Sequence, residues 1–194
     1  IKMWGVFAQG EDAQSMWGPR GIVIDQQGNL LVTDTGNKRV MVFDQNLNFI
    51  TQFGGPGFDA GEFDEPVGIA ISEDGKIVVA DTWNRRVQIF EADESGLNYT
   101  QVGAFDVDAW YGSGIDNKPY ITVSPQNQIL ISDPKASRIL VFSMEGEFLA
   151  GWEGLALSSE TISQPYGMDF DGEGNLWISD AASNMVLRFP FDVE

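Results

Sequence analysis

Hydrophobic positions along this chain come in short runs, each bounded by Gly, Asn, Asp or Ser. In the second quarter the runs fall at 67–72, 76–80 and 86–90, with a further one near 98–102. Between them lie Glu73-Asp74-Gly75 and a polar loop at 81–85. Short apolar or alternating runs punctuated in this way read as antiparallel strands. Gly28, Gly75 and Gly174 stand where tight hairpin turns need a positive φ. No stretch carries a competing helical period.

The pattern recurs four times. The copies read GPRGIVIDQQGNLLVTDTGNKRVMVF from Gly18, EPVGIAISEDGKIVVADTWNRRVQIF from Glu65, KPYITVSPQNQILISDPKASRILVF from Lys118 and QPYGMDFDGEGNLWISDAASNMVLRF from Gln164. Their leading prolines, Pro19, Pro66, Pro119 and Pro165, are 47, 53 and 46 residues apart. Self-similarity at this period signals repeated supersecondary units that bury one another's faces. Four-stranded units repeated around an axis predict an all-β fold, a β-propeller. We read 1–194 as one domain with repeats at about 18–53, 65–102, 118–152 and 164–190. The strands of a blade are called a to d from the axis outward.

The start of the chain aligns with an outer strand, Met3-Trp4-Gly5 against Gln52-Phe53-Gly54, and the fourth copy ends in strand c. Two arrangements follow. In a closed four-bladed ring, residues 1–6 pair as the outer strand with the segment near 185–190. Alternatively the four repeats are part of a larger propeller.

The repeats resemble the NHL family. The residues that carry the resemblance are Pro-x-Gly-Ile at 19–22 and 66–69, Gly-Asn-Leu-Leu-Val-Thr-Asp-Thr at 28–35 and Val-Val-Ala-Asp-Thr-x-Asn-x-Arg-Val at 78–87. The third copy departs with Pro134 after Asp133, and the fourth with Met185 where Arg is expected. The resemblance implies a propeller that serves as a platform for protein or RNA partners, and some relatives are enzymes.

Composition narrows the chemistry. With 194 residues the chain can bury roughly 70% of its unfolded surface, so its core needs no covalent staple. It has no Cys and no His, which removes disulfides, thiolates, the usual general base and the commonest metal ligand. No apolar run reaches membrane-spanning length, so membrane insertion is not expected. The chain begins at Ile1 rather than Met, as a processed or trimmed product would. With 29 acidic against 11 basic residues the net charge is −18, which disfavours nucleic acid as a partner.

Charge placement changes the picture. Asp34/Arg39, Asp81/Arg86 and Asp133/Arg138 are each five residues apart across the b–c loop, a spacing that predicts bidentate ion pairs bracing that loop. Asp180 faces Met185 and must be satisfied otherwise. Lys38, Arg85 and Lys135 sit in the same loops, and Arg20 and Lys118 flank the leading prolines. The b–c and d–a loops share one face of a propeller, so this face gathers eight of the eleven cations. Its aromatics are Trp83, Trp110 and Tyr111, whereas Trp17 and Phe63 are expected to plug the core. The opposite face, made of a–b and c–d turns, is acidic. The loop 59–65 has calcium-type donors without a recognised spacing. Asp169 stands near the axis where the other copies have Val23, Ala70 and Thr122.

These features predict a non-catalytic binding or assembly platform with no metal or cofactor. It would hold a protein segment or a glycan through the b–c and d–a loops, with Trp83, Arg85, Lys38, Lys135, Trp110 and Tyr111 as contacts. Aromatics beside cations are the residues that dominate recognition. A calcium-dependent lactonase or lyase needs several converging axial ligands, and an RNA-binding NHL domain needs a more basic face. Both stand as alternatives. Composition leans toward a bacterial extracytoplasmic domain of a larger protein.

Overall fold

Each turn on the acidic face is closed by its own first side chain. Asp25 accepts the N–H groups of Gln27 and Asn29 at 2.9 and 2.7 Å. Asp44 does the same for Asn46 and Asn48, Asp93 for Ser95 and Leu97, and Asp171 for Glu173 and Asn175. Ser124 and Ser143 play this part in the third repeat. A short polar side chain that replaces a backbone acceptor fixes the chain reversal and hence the strand register.

These turns connect strands in a computed structural model that describes residues 3–10, 12–110, 118–153 and 162–191. Strands β1 (Val6–Phe7) and β2 (Ser15–Met16) pair in parallel ahead of the blades. Blade 1 holds β3 (Pro19–Ile24), β4 (Leu30–Asp34), β5 (Arg39–Phe43) and β6 (Phe49–Gly54). Blade 2 holds β7 (Pro66–Ile71), β8 (Ile77–Asp81), β9 (Arg86–Ala92) and β10 (Tyr99–Asp106). Blade 3 holds β11 (Ile121–Val123), β12 (Ile129–Asp133), β13 (Arg138–Phe142) and β14 (Phe148–Glu153). Blade 4 holds β15 (Pro165–Phe170), β16 (Asn175–Asp180) and β17 (Met185–Pro190). Neighbouring strands within each blade are antiparallel, and the fold is a four-bladed β-propeller.

The core lies between blades. Leu31, Val42 and Phe53 of blade 1 meet Ile69, Val79 and Phe90 of blade 2. Val78 and Ile89 meet Ile129 and Leu140 across the next junction, and Leu130 and Val141 meet Leu176 and Ile178 across the third. Each junction is filled by one residue from the d–a loop: Phe63, Trp110 and Ile162, all buried. Hydroxyls strap adjacent inner strands together. The Thr33 hydroxyl accepts from Gly21 N–H at 2.8 Å and donates to the Val67 carbonyl at 2.9 Å. Ser132 accepts from Tyr120 N–H and donates to the Tyr166 carbonyl at 3.1 Å. Gly21 must lack a side chain, because a Cβ there would stand 2.7 Å from the Val67 oxygen.

The expected pairing of residues 1–6 with the strand near 185–190 is not what the described residues do. Val6–Phe7 pair with Ser15–Met16, and the Trp4 ring packs 4.3 Å from that of Phe43 in blade 1. That aromatic contact holds the segment on the near blade, and the described part of blade 4 has three strands.

The turn carboxylates carry a pH signature. The Asn98 amide and the Ser95 hydroxyl hold Asp93 well below the usual carboxylate range, and the Trp177 and Asn175 N–H groups do so for Asp171. Depressed folded-state values mean that the unfolded chain binds protons first, from about pH 4 downward. The stabilisation is therefore present above about pH 4 and lost as pH falls toward the folded values. Thermal melts across the acid range should show a flat melting temperature above about pH 5 and a decline below about pH 4. Replacing both residues by Asn should flatten that decline. An unchanged acid slope in the double variant would remove these turns from the account.

Candidate binding face

The b–c loops are built alike. Each begins at the Asp that ends the second strand and turns through residues such as Thr35–Asn37 and Pro134–Ala136. Each then passes a residue in the left-handed region: Lys38, Arg85, Ser137 and Asn184, with φ of 55–58°. This turn sends Arg85 outward while Arg86, the next residue, points back to the loop.

The ion pairs form, with a geometry different from the bidentate one expected. Arg39, Arg86 and Arg138 each give Nε–H to Asp34, Asp81 and Asp133 at 2.8–2.9 Å. The other carboxylate oxygen is taken by the preceding d–a loop, through Trp17 N–H to Asp34 and Asp64 N–H to Asp81, both at 2.7 Å. The Arg39 Nη2 reaches the Ser15 carbonyl of that loop while its Nη1 donates to the Gln52 side chain, and both terminal nitrogens of Arg86 reach loop carbonyls, those of Phe58, Asp59 and Glu62. Each Asp–Arg unit thus ties the d–a loop to the b–c loop. Asp180, which faces Met185, accepts N–H bonds from Ser163, Gln164, Ala182 and Ser183 instead. Burial pushes its carboxyl up, but the Ser163, Ser183 and Gln164 amides outweigh this and hold it below the usual range.

Around this frame the expected contacts separate. Trp83 is 45% exposed, and its N–H donates to the Asp64 carbonyl at 3.0 Å. The Lys118 ammonium stands 5.8 Å from the Trp83 ring centroid and 2.6 Å from a Glu65 oxygen. Lys38 pairs with Asp64 at 2.8 Å. Trp83, Lys38 and Lys118 therefore gather where the loops of blades 1 to 3 meet, and Arg85 is exposed two residues after Trp83 in the same loop. Lys135 is exposed on the corresponding loop of blade 3. Trp83 has room because Asp64 precedes the blade 2 proline. In blade 1 the matching Trp17 ring covers Gly36, where a Cβ would come within 2.5 Å of it.

Two aromatics are corrected. Trp110 is 3% exposed and belongs to the core between blades 2 and 3, drawn in by the turn in which its N–H donates to Val107. Trp17 is 38% exposed and covers a loop rather than plugging the core. Phe63 is the buried plug expected. Tyr111 lies outside the described residues.

Gln88 was not anticipated. Fully buried in β9, it donates to Asp81 and to the Glu62 carbonyl and accepts Gly61 N–H. A Gln in the apolar run 87–90 is the sequence signal for such a link. The acidic loop 59–65 spreads its carboxylates outward, Asp64 to Lys38, Glu65 to Lys118 and Glu62 to Asp59 N–H. No group of three or more His, Cys, Asp or Glu residues placed to hold a metal occurs among the described residues. Asp169 lines a central cavity of about 640 Å³ together with inner-strand residues of all four blades, and accepts Phe170 N–H.

Comparison with known proteins agrees with this fold. The NHL repeat model matches residues 16–43 and 63–90. The chain is 43% identical over 54 residues to the RING finger protein nhl-1 of Caenorhabditis elegans, covering 28% of this chain and 5% of that protein. A catalytically inactive virginiamycin B lyase from Staphylococcus aureus, solved with quinupristin, superposes with a TM-score of 0.59 at 14% identity. That match covers 95% of this chain and 58% of the lyase chain. The Cps50 (Swd1) β-propeller domain of Myceliophteria thermophila superposes with a TM-score of 0.60 at 13% identity, covering 90% of this chain and 54% of that one. The chain thus spans little more than half of these solved structures, and at such identities the likeness is one of fold. With its motifs, its blades and these matches in agreement, the chain is a β-propeller whose first two repeats match the NHL repeat model.

Proposed function

We propose that the chain is a non-catalytic binding platform that holds a protein segment on its b–c and d–a loop face. The observation that carries this reading is Trp83, an exposed indole fixed by its backbone bond to Asp64 and flanked by the Lys118 ammonium. A large, rigid aromatic anchor beside cations loses little conformational freedom on binding and suits a hot spot. Asp64 and Glu65 neutralise Lys38 and Lys118 locally, so the face presents mixed charge, which fits a mixed-charge peptide better than a phosphate backbone. The chain has no His to serve as a general base, which supports a binding role over a hydrolytic one.

The test is capture on the immobilised chain from its native source, run beside a Trp83→Ala variant. A retained protein should bind the parent, and Trp83→Ala should weaken it by about 2 kcal/mol, roughly thirtyfold, with the melting temperature unchanged. A glycan ligand would show itself by binding that persists at high salt. Equal retention by both proteins, or none by either, would sink the reading.

A further inference from the structure

The d–a loop that enters blade 2 and the b–c loop of that blade are tied together as in blade 1, yet they carry different tips. Arg86 gives Nη2 to the carbonyls of Asp59 and Glu62, as Arg39 does to those of Asp12 and Ser15, 47 residues earlier in each case. The Asn84 amide binds the Gly57 carbonyl and Asp81, as the Asn37 amide binds the Ala8 carbonyl and Asp34. On this common frame blade 2 places aromatics. The b–c tip is Gly36, Trp83, Lys135 and Ala182 in the four repeats. The residue before Asp59 is Phe58, where the first copy has Glu11 before Asp12.

Phe58 is 73% exposed although the chain around it is fixed. Its carbonyl accepts Arg86 Nη1 and the Gly57 carbonyl accepts the Asn84 amide, both at 2.8 Å. Gly57 N–H donates to the Phe63 carbonyl and Asp59 N–H to Glu62, both at 3.1 Å. None of these bonds uses the Phe58 side chain. A singly scattered apolar side chain calls for no partner. Here two exposed rings, Phe58 and Trp83, stand on loops that Asn84 joins, each on backbone already ordered, so little freedom is lost on binding. Charge then separates the two rings. Beside Trp83 each lysine has its own carboxylate, Lys38 with Asp64 and Lys118 with Glu65. Beside Phe58 the Asp59 carboxylate is exposed and forms no ion pair among the described residues.

Given the platform reading above, on which this rests, we propose that Phe58 is the second anchor of the face. The protein segment held there lays a bulky apolar side chain against the Phe58 ring and brings an adjacent Lys or Arg to Asp59. A guanidinium or ammonium that pairs with Asp59 stands within reach of the neighbouring ring face, where a cation is also attracted. The net charge of −18 steers such a cationic segment toward the chain. A polyanion would meet the exposed Asp59 carboxylate and the lysines already paired, and gains neither contact.

Random heptapeptides displayed on phage and selected on the immobilised chain are the probe. The recovered peptides should pair a bulky apolar residue with Lys or Arg. Made synthetically, they should bind Phe58→Ala about tenfold more weakly than the parent, at an unchanged melting temperature. Selection on Asp59→Lys should return Asp or Glu in place of the cation, because the new ammonium repels the old one. Peptides that are lost on Trp83→Ala but bound equally by Phe58→Ala would overturn the second anchor and leave the platform reading standing. Recovered peptides without a cation, the same peptides from Asp59→Lys, or a lowered melting temperature for Phe58→Ala would overturn it as well. Recovery of no peptide by the parent would remove both readings.

Discussion

Asp81→Ala should cost about 3–5 kcal/mol of folding stability, as removal of one partner from a buried, hydrogen-bonded ion pair does. The carboxylate is fully buried and accepts from Asp64 N–H at 2.7 Å, Arg86 at 2.8 Å, Asn84 at 2.9 Å and Gln88 at 3.0 Å. Its loss strands the Arg86 Nε–H, one hydrogen each of the Asn84 and Gln88 amides and the Asp64 N–H at a largely buried junction, while the other donors of these side chains keep their carbonyl partners, and each stranded hydrogen keeps its desolvation cost. Asp81→Asn keeps the shape but turns one acceptor into a donor facing other donors, so it should recover only part of the loss. Arg86→Ala should be milder, since Asn84, Gln88 and the Asp64 amide still satisfy the carboxylate. Urea unfolding of the three variants would test the order, and an Asp81→Ala midpoint equal to the parent's would refute the bracing role.

The same residue shows why much of the fold is legible in the sequence. The Pro-x-Gly start, the Asp that ends strand b and the Arg five residues later recur because each makes the same contact in successive blades, the Gly with the next inner strand and the Asp and Arg with their own loops. Contacts that repeat leave a periodic trace. The turn aspartates left one too, as Asp25, Asp44 and Asp171 each stand four residues before an Asn whose N–H they accept. Read only as charge, that pattern suggests a solubilising surface. Read as hydrogen bonding, it explains why carboxylates cluster on the turn face.

What sequence reasoning missed depends on which neighbour a side chain meets. Met16, Phe63 and Ile162 stand three residues before a leading proline, but the third repeat has Asp116 there and a spacing six residues longer. Its plug had to come from elsewhere in the loop, and Trp110 supplies it. An aromatic assigned by loop membership alone thus looked like a surface contact. Trp83 escaped that error because Asp64 replaces the ring that covers Gly36 in blade 1. Ile22 and Val186 leave no sequence signal of their exposure, 60% and 67%, since they look as ready for burial as Ile69 and Val40.

Phe63→Ala and Met16→Ala, at equivalent positions, should therefore behave differently. Phe63 is fully buried among Phe53, Phe90 and the aliphatic residues of blades 1 and 2. Removing its ring should cost about 3–5 kcal/mol, because the lining strands are held in register and collapse only partly onto the cavity. Met16 is half-buried and lines the solvent-open apolar cavity of blade 1 with Trp4 and Ile22, so its truncation leaves no closed void. Met16→Ala should cost about 1 kcal/mol or less, as a half-exposed apolar residue does. Thermal melts of the two variants beside the parent separate them. Equal losses would mean that Met16 is walled in as fully as Phe63.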